Sequence, residues 1–97
     1  MKLQIGIIGL GKFGLKLGKT LVDLGHEVLG VETRPDKVKN AQHVLTQVYQ
    51  VDAMSREALE QIRIQDLHHV LVSVGDSIAA SVMISMFLKE LGVAKVW

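Results

Sequence analysis

Apolar residues in this chain fall into short runs separated by longer stretches at helical spacing, and most junctions carry glycine, proline, serine or aspartate. The first run, Ile5-Gly6-Ile7-Ile8, leads through a glycine turn to Phe13, Leu17, Leu21 and Leu24, which recur three or four positions apart and stop at Gly25. Residues so spaced share one face of a helix, and a glycine just past the last of them is a common C-terminal cap. The reading is strand, turn, helix. Val28, Leu29 and Val31 form a second run closed by Glu32. Pro35 then stands where a first helical turn accepts proline, with Val38 and Ala41 as a short inward face.

The alternation continues to the end of the chain. Thr46 to Val51 alternates and contains β-branched residues, and a weaker helix is expected from about Ser55 to Ile62, with Ser55 as its N-cap. Val70-Leu71-Val72-Ser73-Val74 is the continuous apolar type of a strand covered on both faces, ending at Gly75-Asp76. A helix from about Ser77 to Leu91 stops at Gly92, and Ala94 to Trp97 begins a fifth strand. Strands alternating with helices predict right-handed β-α-β units in a parallel sheet, with no internal repeat, linker or low-complexity segment. The helix after Ser77 is apolar around its whole circumference and carries only Lys89 and Glu90 as charges, so it is expected to be covered on more than one side. Its candidate covers are an element following the fifth strand and a subunit interface through Met83 and Met86. Val96-Trp97 stops inside a strand without cap or turn; the expectation is a fragment of a longer chain, or a sheet completed by another chain.

Composition narrows the function classes. Ninety-seven residues, 48% hydrophobic and 22% charged, make one globular domain over residues 1–97 and argue against disorder. Eleven basic against ten acidic residues leave a net charge of +1 with no run of one sign, so nucleic acid is not an expected partner. The absence of cysteine excludes disulfides and thiolate metal sites and leans towards the cytosol. The longest apolar stretch, Ile78 to Leu88, falls short of the roughly 20 residues that span a bilayer, so the chain itself is expected to be soluble. His68 and His69 are adjacent, hence on opposite faces if extended, and neither His26 nor His43 has an acid at ligand spacing, so no metal site is expected. Ser73, Ser77, Ser81 and Ser85 lack a nucleophile elbow or a paired base, and no catalytic residue is assigned.

The chemistry concentrates in Gly9-Leu10-Gly11-Lys12-Phe13-Gly14, a G-x-G-x-x-G. Such glycines alone are a weak signal; here they follow a buried strand and open an amphipathic helix. Gly9 then serves the tight turn, Gly11 the close approach of a pyrophosphate, and Gly14 the packing of helix on strand. Phosphates would rest on unpaired N–H groups at the positive end of the helix dipole. Glu32 ends the second run, about where the fingerprint expects an acid some 20 residues on, placed to accept hydrogen bonds from both ribose hydroxyls. It disfavours the 2′-phosphate of NADP, an exclusion softened by Arg34 beside Thr33. Asp52-Ala53 and Val74-Gly75 follow the third and fourth strands at the carboxyl edge, where open α/β sheets bind ligands. Asp52 is read equally as an adenine contact or a helix cap, and Lys12 as a reach towards a terminal phosphate or a solvated side chain. The fold expected is a Rossmann-like doubly wound α/β sheet of strand order 3-2-1-4-5, truncated after the fifth strand.

The glycine motif, Gly25-His26-Glu27-Val28-Leu29-Gly30-Val31-Glu32, Val51-Asp52-Ala53, Val70 to Gly75, Leu88-Lys89-Glu90-Leu91-Gly92 and Val96-Trp97 together resemble the N-terminal domain of bacterial potassium-transport regulators. This is the KTN, RCK-N or TrkA-N domain of KtrA- and TrkA-type subunits, and the resemblance runs nearly the whole length. It implies a cytoplasmic, non-enzymatic protein that assembles into homodimers and rings beneath a membrane-embedded potassium channel or transporter. Binding of NAD, NADH, ATP or ADP would gate the pore. On this resemblance Gly9, Gly11, Phe13 and Gly14 hold phosphates, Glu32 the ribose, Asp52 and Ala53 flank adenine, and Val74-Gly75 line the far half. Lys12 stands where the family often has an arginine that senses a terminal phosphate. Glu32 departs from the more usual aspartate, Val51 from a glycine, and the family's basic residue after the tryptophan lies past this chain's end. The alternative reading is the cofactor-binding half of an NAD-dependent dehydrogenase, against which stands the lack of a substrate site and proton donor. A methyltransferase using S-adenosylmethionine fits the Lys12-Phe13-Gly14 turn less well.

Overall fold

A computed structural model describes residues 1–75 and 77–97. The elements are β1 (Gln4–Ile8), α1 (Lys12–Asp23), β2 (Glu27–Glu32), α2 (Pro35–Ala41), β3 (Gln47–Gln50), α3 (Arg56–Gln61), a 3₁₀ turn (Ile64–Asp66), β4 (His69–Val72), α4 (Ile78–Glu90) and β5 (Lys95–Val96). The five strands form one parallel sheet in the order β3-β2-β1-β4-β5, as the sequence predicts.

Strand alternation sorts the core into two layers. Ile7 and Val28 point to one face and pack with Leu10, Ala41 and Leu45 against the inner sides of α1 and α2. Ile8, Val31 and Val70 point to the other and meet Leu59, Ile64, Ile84 and Leu88 from α3, the 3₁₀ turn and α4. On the first face α1 lies so close to the sheet that a Cβ on Gly18 would sit 2.6 Å from Leu45 Cδ2. The expected serine cap forms, Ser55 Oγ accepting the Ala58 N–H at 3.2 Å, and Ser77 caps α4 in the same way, its Oγ accepting the Ala80 N–H at 3.1 Å.

Three local features differ from the sequence reading. β4 covers His69–Val72 rather than Val70 to Val74. Ser73 N–H still donates to the Ile8 carbonyl at 2.7 Å, but its own carbonyl turns towards Gly9, and the chain leaves the sheet there. The 3₁₀ turn was not anticipated: Arg63 enters it with φ 59°, driving Ile64 fully into the core. Finally, α4 buries Ile84 and Leu88, while Ile78, Val82 and Met86 are 85%, 53% and 53% exposed, so this chain covers one side of that helix.

The order of strands decides where a ligand fits. From β3 at one edge the chain crosses β2 and β1 to reach β4, so the loops leaving β1 and β4 diverge in opposite directions and open a crevice between them.

Candidate functional site

That crevice is a cleft of about 490 Å³ at the carboxyl ends of the strands, within the usual range for small-molecule sites. It is lined by Gly9 and Gly11 after β1, Glu32 to Arg34 after β2, Val51 to Met54 after β3, Ser73 to Gly75 after β4, and Lys37, Ala80 and Ile84 from the helices.

The motif glycines do different work. Gly9 has φ 95°, its N–H donates to the Val31 carbonyl at 2.8 Å, and a Cβ there would fall 2.3 Å from the Ser73 carbonyl oxygen. Gly14 is held as tightly, its Cβ position lying 2.3 Å from the Gly9 carbonyl oxygen. The protein's own backbone requires both. Gly11 is the reverse case: its φ of −70° suits any residue, and the nearest atom to its missing side chain is Lys37 Nζ at 4.0 Å. Nothing inside the protein asks for glycine here; what the missing side chain opens is the floor of the cleft. Gly11 is also the N-cap of α1, with no side-chain cap and no acid in the first turn. First-turn N–H groups have no partner within a helix and carry the positive end of its dipole, so this floor matches an anion.

Glu32 is more heavily engaged than its place in the motif foretells. Oε1 accepts the Leu10 N–H at 2.8 Å, and Oε2 accepts those of Thr33 at 3.0 Å and Arg34 at 3.1 Å. A carboxylate has about four lone-pair sites, so three are taken and Oε1 retains one. The bond to Leu10 ties the end of β2 to the glycine turn, and those to Thr33 and Arg34 hold the loop that follows β2.

The other motif residues divide between cleft and scaffold. Leu10 is 2% exposed, with its side chain in the core and its N–H given to Glu32. Lys12 and the 70%-exposed Phe13 stand on the first turn of α1 and leave their side chains outside the cleft lining. Asp52 is not the cap of α3. Its Oδ1 accepts the Met54 N–H at 2.9 Å in a local turn, and Ser55 does the capping, which leaves Asp52 exposed at the cleft. Ala53 is buried beneath it, and the Val74 carbonyl accepts the Ser81 hydroxyl at 3.1 Å, joining the loop after β4 to α4. Asp76 lies outside the described residues.

Lys37, Met54, Ser73, Ala80 and Ile84 line the cleft without having been singled out in the sequence. For Lys37 a signal existed: it directly precedes the inward Val38 on a helix whose start Pro35 fixes. The histidines hold the opposite rim of the sheet together, Nδ1 of His26 and His68 accepting the N–H groups of Leu3 and Gln4 at 3.1 and 2.9 Å. Among the described residues no three His, Asp or Glu side chains gather as a metal site would need, and no helix is long and apolar enough to cross a membrane.

The sequence model of the TrkA-N domain matches residues 5–97. The chain belongs to the TrkA-N domain family. It is 34% identical over 94 residues to Ktr system potassium uptake protein A of Vibrio alginolyticus, and 33% identical over 93 residues to Ktr system potassium uptake protein C of Bacillus subtilis. These matches take in 97% and 96% of this chain but 43% and 42% of those proteins, so the chain spans less than half the length of the curated relatives. Among solved structures, Shewanella denitrificans Kef CTD in its AMP-bound form superposes with a TM-score of 0.76 at 20% identity, over 96% of this chain and 56% of that one. UDP-glucose 4-epimerase of Thermotoga maritima, solved with UDP-glucose, gives 0.76 at 23%, over 97% and 36%. At those identities the likeness is one of fold: the TrkA-N domain here is a Rossmann-like sheet.

Proposed function

We propose that this TrkA-N domain is the nucleotide-sensing part of a potassium-uptake regulatory subunit. It takes NAD, NADH, ATP or ADP in the cleft and passes the occupancy to a membrane-embedded potassium channel or transporter. The observation that carries the reading is Gly11, an unforced glycine whose open side faces the uncapped start of α1 in the same cleft as Glu32. The potassium-uptake assignment rests on the names of the Ktr relatives, and a place on the cytoplasmic side of the membrane goes with the family resemblance.

In this reading Gly9 and Gly14 shape the turn, the first-turn N–H groups of Lys12, Phe13 and Gly14 hold phosphate, and the free lone pair of Glu32 takes one ribose hydroxyl. Asp52, Thr33 and Arg34 border the adenosine half, and Val74-Gly75 the other. The Glu32 charge disfavours the 2′-phosphate of NADP. The cleft is a binding site rather than a catalytic one: its described lining contains no histidine, and its one free carboxylate, Asp52, is open to solvent. Sensing needs only that the nucleotide bind two assembly states unequally. The exposed stripe of α4 supplies a surface through which a second copy would join the homodimer and any larger ring.

Thermal melts with NAD, NADH, ATP, ADP and NADP test this directly. A specific ligand at about 100 times its Kd adds roughly 2.7 kcal/mol of stability. A shift with one or more of the first four supports the reading; no shift with any overturns it. Hydride transfer by the longer protein would move the assignment to the dehydrogenase reading.

A further inference from the structure

Lys37 is the cation of this cleft that the glycine fingerprint does not account for. It is the third residue of α2, and the burial of Val38 and Ala41 beneath that helix fixes its rotation, so that Lys37 leans over the cleft half-buried instead of extending into solvent. Its ammonium nitrogen comes within 4.0 Å of where a Gly11 side chain would begin, nearer than any other group to that gap. The ion pairs among the described residues are Lys2–Glu27, Lys19–Asp23, Arg56–Glu90 and Arg63–Asp66, none of them involving Lys37. Glu32, the acid that ends β2 in the same cleft, has turned its oxygens onto three backbone N–H groups.

A lysine held over an opening in a cleft, outside every ion pair among the described residues, is matched to an anion that arrives with the ligand. We propose that Lys37 pairs with a phosphate group of the bound nucleotide and so makes the site select phosphorylated adenosine over adenosine. This rests on the nucleotide reading above. The position over Gly11 serves a phosphate on the ribose 5′ side, next to the start of α1; a phosphate on the 2′ side offers the ammonium the same chemistry.

Binding of adenosine, 5′-AMP, ADP and 2′-AMP to the wild-type protein, to Lys37→Met and to Lys37→Arg separates the cases by calorimetry at fixed salt. Expected is a loss of about tenfold in Lys37→Met for phosphate-bearing ligands, with adenosine unchanged and most of the affinity kept in Lys37→Arg. A loss on 5′-AMP and ADP identifies the 5′ phosphate, and a loss on 2′-AMP the 2′ phosphate; either supports the pairing. Equal losses on adenosine and 5′-AMP, or none on any ligand that wild type binds, overturn the role of Lys37 alone. A wild type that takes up none of the four overturns the nucleotide reading and this one with it. Ligand-free melts of the variants, expected to match wild type, show that folding is not what changed.

Discussion

Glu32 Oε1 accepts the backbone N–H of Leu10 at 2.8 Å, fastening the end of β2 to the turn that closes β1. The residue that fingerprint logic assigns to ribose is thus also a strut of the fold. Replacing Glu32 by Ala leaves three backbone N–H groups without their acceptor, of which that of the buried Leu10 is hardest for water to reach. The expected loss is about 1–2 kcal/mol before any ligand is added, or a fall of about 4–8 °C in Tm for each kcal/mol in a domain of this size. Nucleotide-induced shifts should shrink as well. A ligand-free melt identical to wild type would show that water replaces the strut at no cost.

Gly9 and Gly11 should respond oppositely to the same substitution. Gly9→Ala drives a Cβ to 2.3 Å from the Ser73 carbonyl at a left-handed φ, a backbone clash that no side chain can relieve, so losses of about 3 kcal/mol or more are expected. Gly11→Ala meets no atom closer than 4.0 Å at φ −70°, so unfolding in urea should change by less than about 1 kcal/mol. Its effect should fall on nucleotide affinity, because the added methyl occupies the floor on which phosphate would rest. Strong destabilisation by Gly11→Ala would remove the argument that this glycine exists for a ligand.

What could be read from the sequence was whatever depends on spacing along the chain. The strands and helices followed from alternating runs, and caps from Ser55 and the glycines after α1 and α4, because each of these is decided within a few residues; the strand order came with the Rossmann-like fold that the glycine motif implies. What escaped depends on contacts between distant segments. Nothing near Glu32 announces that Leu10, twenty-two positions earlier, will present its N–H. Lys37 read as one more scattered charge, since only the meeting of α2 with the glycine turn brings its ammonium over Gly11. The 3₁₀ turn escaped for another reason: it hangs on a single left-handed residue, Arg63, of a type that rarely adopts that conformation.

Acidification should act on the rim far from the cleft. The Glu27 carboxyl lies below its ordinary pKa of 4.5, first because the Gln4 side chain donates to it and second because the Lys2 ammonium stands nearby. A lowered carboxylate pKa means the unfolded chain takes up the proton first. The stabilisation is therefore complete above pH 4.5 and is lost as pH falls through the lowered value. Glu27 is exposed, so the effect should be small. Wild type and Glu27→Gln should differ slightly in Tm at neutral pH and converge in acid; a gap that widens on acidification would contradict the assignment.

The last prediction concerns the face of α4 that this chain leaves open. Ile78, Val82 and Met86 are four residues apart and form one stripe, while Ile84 and Leu88 face the core, so the stripe can change without disturbing the sheet. Single surface substitutions there should alter stability by no more than about 0.5 kcal/mol in a monomer. If a second copy covers the stripe, a carboxylate at its centre leaves a charge facing apolar surface, which assemblies tolerate poorly. Light scattering during gel filtration should then show wild type as a dimer or larger and Val82→Glu as a monomer with an unchanged circular dichroism spectrum. Because Ile78 opens the helix whose Ala80 lines the cleft, nucleotide should shift the wild-type mass distribution and leave that of the variant unmoved. A variant that keeps the wild-type mass would place the subunit contact elsewhere and disconnect this stripe from the sensing cleft.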